Sequence, residues 1–176
     1  MRTICVVTAT RAEYGLLRPV VQKLAASSTL QLQLVATGAH LCPRLGETVR
    51  EIEADGVPIA ARLPIFVGDE NEPVAVTIAR TITVFDAYFS AHRPDAVLLL
   101  GDRFEIFAAA TAAAARHIPI AHISGGDVTL GAADEYYRHC ITKMAAVHFP
   151  SCADSAARLI RMGEAPETVF CVGGLG

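Results

Sequence analysis

Two acidic side chains in this sequence stand where an α/β protein holds a ligand. Asp102 follows the apolar run Ala96 to Leu100 directly, in Gly101-Asp102-Arg103, and Asp127 closes Ser124-Gly125-Gly126-Asp127 after a second apolar run, Ile118 to Ile123. Such runs, without polar alternation, read as strands buried on both faces. The carboxyl ends of parallel strands form the ligand crevice, so both exits should open onto one cleft. A carboxylate there can work as general acid or base, and the Arg103 guanidinium can hold a phosphate bidentately. Asp102 is equally suited to cap a helix over 104–115, with Glu105 three residues on as its capping-box partner. The roles are compatible, because a capping carboxylate can still face a ligand.

His122 and Ser124 precede the Gly125-Gly126 pair, which lets backbone come close to a substrate. A histidine at a strand end serves as readily as a satisfied core group. A third acidic group opens the helix expected over 134–145, where Asp134 and Glu135 complement the helix dipole. Glu135 and His139 are spaced i, i+4 on one helical face, a geometry that can aim both at the cleft, with Arg138 beside them. Near the start, Arg11 and Glu13 lie in the loop Ala9 to Gly15, ahead of a helix over 16–27 whose N-terminus favours anions. That loop holds a single glycine, so the G-x-G-x-x-G dinucleotide fingerprint is absent. His122, Asp127, Asp134 and His139 lack compact metal-ligand spacing, and no metal or other cofactor is expected. Ser124 lacks the G-x-S-x-G elbow of a nucleophilic serine.

The elements that must position these groups alternate along the chain. Strands are expected over 3–8, 32–37, 58–64, 96–100, 118–123, 147–149 and 169–172, with helices over 16–27, 45–55, 74–91, 104–115, 134–145 and 154–162. Prolines bound the third strand and suit it to a sheet edge. Phe66 to Pro73 is acidic and reads as a surface loop. The βαβα alternation implies an α/β fold, a doubly wound parallel sheet of about seven strands. The alanines from Ala109 to Ala115 permit close packing on the sheet or another subunit.

A chain of 176 residues suits one such domain. A net charge of -3 with no Lys/Arg cluster gives no footprint for nucleic acid or an anionic membrane. No apolar run approaches the ~18 residues that span a bilayer, and the start lacks a signal-peptide core, so a cytoplasmic protein is expected. The five cysteines are scattered without a C-x-x-C pair and read as small buried hydrophobes, not as disulfides or zinc ligands. A final strand running into Gly173-Gly174-Leu175-Gly176 leaves a ligand-facing loop unfinished, as at a domain boundary.

Taken together, TATRAEYG, LLGDRFEIF, IPIAHISGGD and DEYYRHCITKM resemble the hydrolysing UDP-N-acetylglucosamine 2-epimerases of sialic acid synthesis, over nearly the whole chain. The resemblance implies the N-terminal Rossmann-like domain of a GT-B fold, with a C-terminal nucleotide-binding domain outside residues 1–176 and a homo-oligomeric assembly. It implies metal-free elimination of UDP to a 2-acetamidoglucal, followed by hydration to N-acetylmannosamine. On it, Asp102, Glu135 and Asp127 are candidate catalytic groups, and Arg11 contacts UDP. Glu13, Arg103, His122, Ser124, Arg138 and His139 complete the expected substrate site. Ser124 departs from relatives that carry Glu or His there. The same chemistry on a UDP-diacetamido-sugar, a nucleotide-sugar-binding module and a GT-B glycosyltransferase are the alternatives.

Overall fold

The computed structural model describes residues 1–67 and 71–176, so the expected loop Phe66 to Pro73 lies partly outside the described residues. Its strands are β1 (Arg2–Thr8), β2 (Leu30–Thr37), β3 (Ile59–Leu63), β4 (Ala96–Leu100), β5 (Ile120–Ile123) and β6 (Val147–Phe149). They form one parallel sheet in the order β3-β2-β1-β4-β5-β6. Winding runs outward from β1 to β3, then returns past β1 to β4 and runs the other way. The reversal falls between β1 and β4, where adjacent loops diverge and leave a crevice. β3 takes the edge that its prolines suit.

The expected seventh strand does not form. Val169 makes one bridge to His148, and the Phe170 amide donates to the His148 carbonyl at 2.8 Å. Beyond it the chain turns back over the sheet, where Val172 and Leu175 line an apolar groove with Ile4, Val20 and Phe149. Leu175 is partly buried there and Val172 stays exposed, and the tail lies on the face in place of extending the ladder.

Among the described residues there are six α-helices: α1 (Arg11–Ala25), α2 (Val49–Ala54), α3 (Val74–Ala91), α4 (Phe104–Ala115), α5 (Asp134–Met144) and α6 (Ala153–Arg161). Helices α3, α4 and α5 cover one face, setting Phe85, Phe89, Ile106 and Ile141 against Cys5, Val7, Val97 and Leu99. Ala108, Ala109, Ala110, Ala112 and Ala113 are wholly buried, so α4 sits close to its neighbours with little side chain to accommodate. Helices α1 and α2 cover part of the other face, with Leu17, Val21 and Ile52 against Val6, Leu34 and Leu98.

Three expectations are corrected. Helix α1 begins five residues before 16, because Thr10 caps it. The helix expected over 45–55 shortens to α2, because Gly46 (φ 95°) and Glu47 (φ 47°) take the left-handed conformation that ends a turn. Cys5 and Cys42 are buried, but Cys140, Cys152 and Cys171 are exposed. Helix α3 is also long and apolar enough to cross a membrane by length and composition. Its inner face packs on α4, and its Asp86 accepts from Arg116 at 2.6 and 2.7 Å.

Candidate active site

At the end of β1 the chain enters α1 through a reciprocal cap. The Thr10 hydroxyl accepts from the Glu13 amide at 3.3 Å. The Glu13 Oε2 accepts from the Ala9 and Thr10 amides at 2.8 and 3.0 Å. This capping box satisfies two amides that a helix start would otherwise leave unpaired, and it folds the Glu13 carboxyl inward. Burial pushes Glu13 up to about 7, against the pull of those two amides. Across the reversal, β4 runs into Gly101, whose φ of 79° turns the chain so that Asp102 and Arg103 line the same cleft as Glu13.

The resulting cleft, about 320 Å³, is lined by Thr10, Glu13, Gly101, Asp102, Arg103, Ser124, Asp127 and Arg138. Its organising group is Arg138 of α5, which is almost wholly buried. Nη1 donates to the Asp127 carbonyl at 2.9 Å and to Glu135 Oε2 at 3.1 Å. Nη2 donates to Thr129 Oγ1 at 2.7 Å and to Asp102 Oδ2. One guanidinium therefore ties the exit of β4, the loop after β5 and the first turn of α5 together. A buried cation with carboxylate partners on two elements holds both in direction, since either carboxylate that turned away would give up a charged partner.

Each expected site residue can now be placed. Asp102 does not cap α4: the N-cap is Arg103, with no side-chain cap bond. Asp102 turns to Arg138 instead, because pairing a carboxylate with a buried guanidinium outweighs one capping bond. Arg103 lines the cleft and donates to the buried Glu105 Oε1 at 3.0 Å. Asp127 also lines it, its Oδ1 accepting from Ser151 and Ser155 hydroxyls at 2.7 and 2.5 Å, which anchors the loop to the start of α6. Ser124 sits on the wall with φ of 62°.

Four other residues stand back from the cleft wall. Glu135 lies behind Arg138: Thr129 N reaches its Oε2 at 2.6 Å and His139 Nε2 its Oε1 at 3.1 Å. The Thr129 amide, and after it His139, hold this carboxyl below its usual range. Arg11 is exposed and pairs with Glu51 at 2.9 Å. His122 is corrected from a substrate contact to a positioning group. It is fully buried, with Nε2 2.7 Å from the Gly101 carbonyl and Nδ1 3.4 Å from the Thr142 hydroxyl. Burial lowers its pKa to about 4, so the ring is neutral and the Nε2–H donates to Gly101.

Sequence reasoning missed Thr10, Thr129, Ser151 and Ser155. Thr10 was findable, since Thr10-x-x-Glu13 is a capping-box signature. The others carry no local signal, because their partners lie on other elements.

A Rossmann-like parallel sheet in this order, with a polar cleft at its reversal, has the architecture of the N-terminal half of a GT-B fold. A solved UDP-N-acetylglucosamine 2-epimerase from Neisseria meningitidis, bound to UDP-N-acetylglucosamine, shares the fold with a TM-score of 0.86 at 23% identity, over 99% of this chain and 46% of that one. The chain belongs to the UDP-N-acetylglucosamine 2-epimerase family, whose profile matches residues 22–176. It is 42% identical to a UDP-N,N'-diacetylbacillosamine 2-epimerase (hydrolyzing) of Legionella pneumophila, over 100% of this chain and 47% of that protein. It is 38% identical to the polysialic acid biosynthesis protein P7 of Escherichia coli, over 100% of this chain and 45% of that protein. The chain thus spans about half the length of the relatives it matches.

Proposed function

We propose that the whole protein is a hydrolysing 2-epimerase of a UDP-2-acetamido-sugar, with the cleft of residues 1–176 facing the sugar. The observation that carries this reading is the placement of Asp102 and Asp127, on separate loops, with Arg103 on the wall of one cleft at the sheet reversal. The proton on carbon 2 of the sugar is weakly acidic, so a base removes it only as the bond from carbon 1 to the UDP oxygen breaks. The C–H electron pair becomes the double bond of a 2-acetamidoglucal, and the C–O pair leaves with UDP. Water then adds its oxygen to carbon 1, and carbon 2 receives a proton on the opposite face. A carboxylate serves each proton step and stabilises the oxocarbenium character between them.

In this assignment Asp102 is the first acid/base group, aimed by its ion pair with Arg138, and Asp127 is the second. Arg103 takes the diphosphate, as a guanidinium with fork geometry suits. Glu135 acts through Arg138 and His139 in the conformation described, and Ser124 offers a hydroxyl to the sugar. Activity belongs to the whole protein, and residues 1–176 alone are expected to show negligible turnover.

Two substrates fit this chemistry. UDP-N-acetylglucosamine, giving N-acetylmannosamine for sialic acid synthesis, is the simpler. A UDP-diacetamido-sugar is favoured by the 42% identity to the Legionella pneumophila enzyme. The test is turnover of each by the full-length protein in deuterated water. Release of UDP with deuterium at carbon 2 of the product supports the proposal, and the faster substrate identifies the sugar. Binding without release of UDP would leave a sugar-binding module, and transfer to an acceptor with retention at carbon 2 would make it a glycosyltransferase.

A further inference from the structure

Two guanidinium groups reach the backbone beside the Asp127 carboxyl group, and it pairs with neither. Arg158 Nη1 donates to the carbonyl of Gly126, and Arg138 Nη1 donates to the carbonyl of Asp127 itself at 2.9 Å. Among the described residues the carboxyl group takes its hydrogen bonds elsewhere: Oδ1 accepts from the Ser151 hydroxyl at 2.7 Å and from the Ser155 hydroxyl at 2.5 Å. Ser155 is 3% exposed, and its single hydroxyl proton is committed to Asp127. Its oxygen is therefore the acceptor for the Cys152 thiol at 3.3 Å, a contact that holds the hydroxyl in place. The backbone is clamped at the same point. A Cβ on Gly126 would lie 2.4 Å from the Ser155 carbonyl oxygen and 3.0 Å from Leu159 Cγ, so the loop rests directly on α6.

That choice of partners runs against simple electrostatics. A guanidinium gives a carboxylate the stronger, charge-assisted bond, and Asp102 takes one from Arg138. We propose that Ser151 and Ser155 are positioning residues for Asp127: they fill Oδ1, keep the carboxyl group from turning to Arg138 or Arg158, and leave Oδ2 as the oxygen that exchanges a proton with the sugar or with water. Both hydroxyls are neutral, so Oδ2 gains or loses that proton without leaving a buried cation unpaired. With either serine removed, the carboxyl group is free to turn towards a guanidinium, and the proton carrier leaves its place in the cleft. The two candidate acid/base groups thus have separate anchors, Asp102 on α5 and Asp127 at the start of α6. The effect on turnover rests on the epimerase reading of the cleft, whereas the clamp on Asp127 rests on the contacts alone.

The test uses the full-length protein and follows UDP release from UDP-N-acetylglucosamine and from a UDP-diacetamido-sugar, in wild type and in Ser151→Ala, Ser155→Ala and Ser151→Thr. Each alanine variant should lower kcat by roughly tenfold to a hundredfold with KM held within about twofold, as when a reacting group is misplaced after the substrate has bound. Ser151→Thr keeps the hydroxyl and should retain most of the wild-type kcat. The deciding comparison puts Ser155→Ala into an Asp127→Ala background, where no carboxyl group remains to be positioned and the residual kcat should change by less than about twofold. Serines that serve only the fold would lower kcat equally in both backgrounds. That result would overturn the proposal, as would wild-type kcat in both alanine variants. Ser151 is only half-buried, so if Ser155→Ala fails to fold the same cycle with Ser151→Ala decides. No UDP release by the wild-type protein from either sugar would defeat the epimerase reading and the turnover step with it, whereas release with equal losses in both backgrounds would defeat the positioning role alone.

Discussion

The Nε2 of His122 lies 2.7 Å from the carbonyl oxygen of Gly101, joining β5 to the residue that follows β4. The bond fixes the peptide from which Asp102 and Arg103 project. His122→Phe keeps the apolar volume but strips the donor from a part-buried carbonyl. It should cost about 1–3 kcal/mol of stability, read as a lower denaturant midpoint. It should also lower kcat more than it raises KM, because the displaced Asp102 acts in the reaction. Thr142→Val removes only the longer contact to Nδ1 and should cost less.

Two of the three buried histidines, His40 and His122, set an acid limit on the fold. His40 accepts or donates to Thr8 and Thr48 hydroxyls at 3.0 and 2.8 Å, and burial lowers it, like His122, to about 4. Each is neutral when folded and binds a proton more readily when unfolded. Their contribution is therefore complete above the unfolded value near 6.5 and is lost as pH falls towards about 4. Glu13, raised to about 7, runs the other way and costs stability as pH rises from 4.5 to that value. Urea midpoints should fall steeply below about pH 6, and His40→Gln should flatten that limb even if it lowers the plateau.

Arg138 offers the sharpest contrast between stability and chemistry. Arg138→Met leaves Asp102 and Glu135 without their shared cation and should cost about 3–5 kcal/mol. Asp102→Asn keeps an acceptor for the guanidinium and should cost far less, while reducing kcat by a factor of about 100 or more if Asp102 transfers the proton. Equal thermal midpoints for the two variants would show that Arg138 does not hold the cleft together.

How much of this was legible beforehand follows from where the partners lie. The unalternating strands at 96–100 and 118–123 announce a parallel sheet, because such runs are stable only when covered on both faces. The exits at Asp102 and Asp127 follow from that. The true partner of Asp102 does not, since Arg138 lies 36 residues on and a local cap at Glu105 explains the same letters. His122 misled for a related reason: a polar side chain at a strand end looks ligand-facing until its bond to Gly101 is seen. The absent seventh strand shows the reverse limit. Val169 to Val172 has strand-forming side chains, yet it pairs with β6 only through Val169 and the Phe170 amide, and Phe170 and Val172 stay exposed.

Ser124 carries backbone strain on the cleft wall. Its φ of 62° is left-handed, a conformation that costs a residue with a Cβ about 1–2 kcal/mol and glycine almost nothing. The cost is borne because the Ser124 amide donates to the Phe149 carbonyl at 3.0 Å and the turn leads directly to Gly125 and Asp127. Ser124→Gly should therefore raise stability by about 0.5–1 kcal/mol, less than the full strain because glycine also gains freedom when unfolded. If the hydroxyl meets the sugar, the same change should lower kcat/KM, so stability and activity move in opposite directions. Gly126→Ala separates this from mere sensitivity of the loop. Its φ is 81° and an added Cβ would lie 2.4 Å from the Ser155 carbonyl, so it should lose both stability and activity. A stabilised Ser124→Gly enzyme with unchanged kcat/KM would mean that the strain serves the path of the chain towards Asp127, and that the hydroxyl never touches substrate.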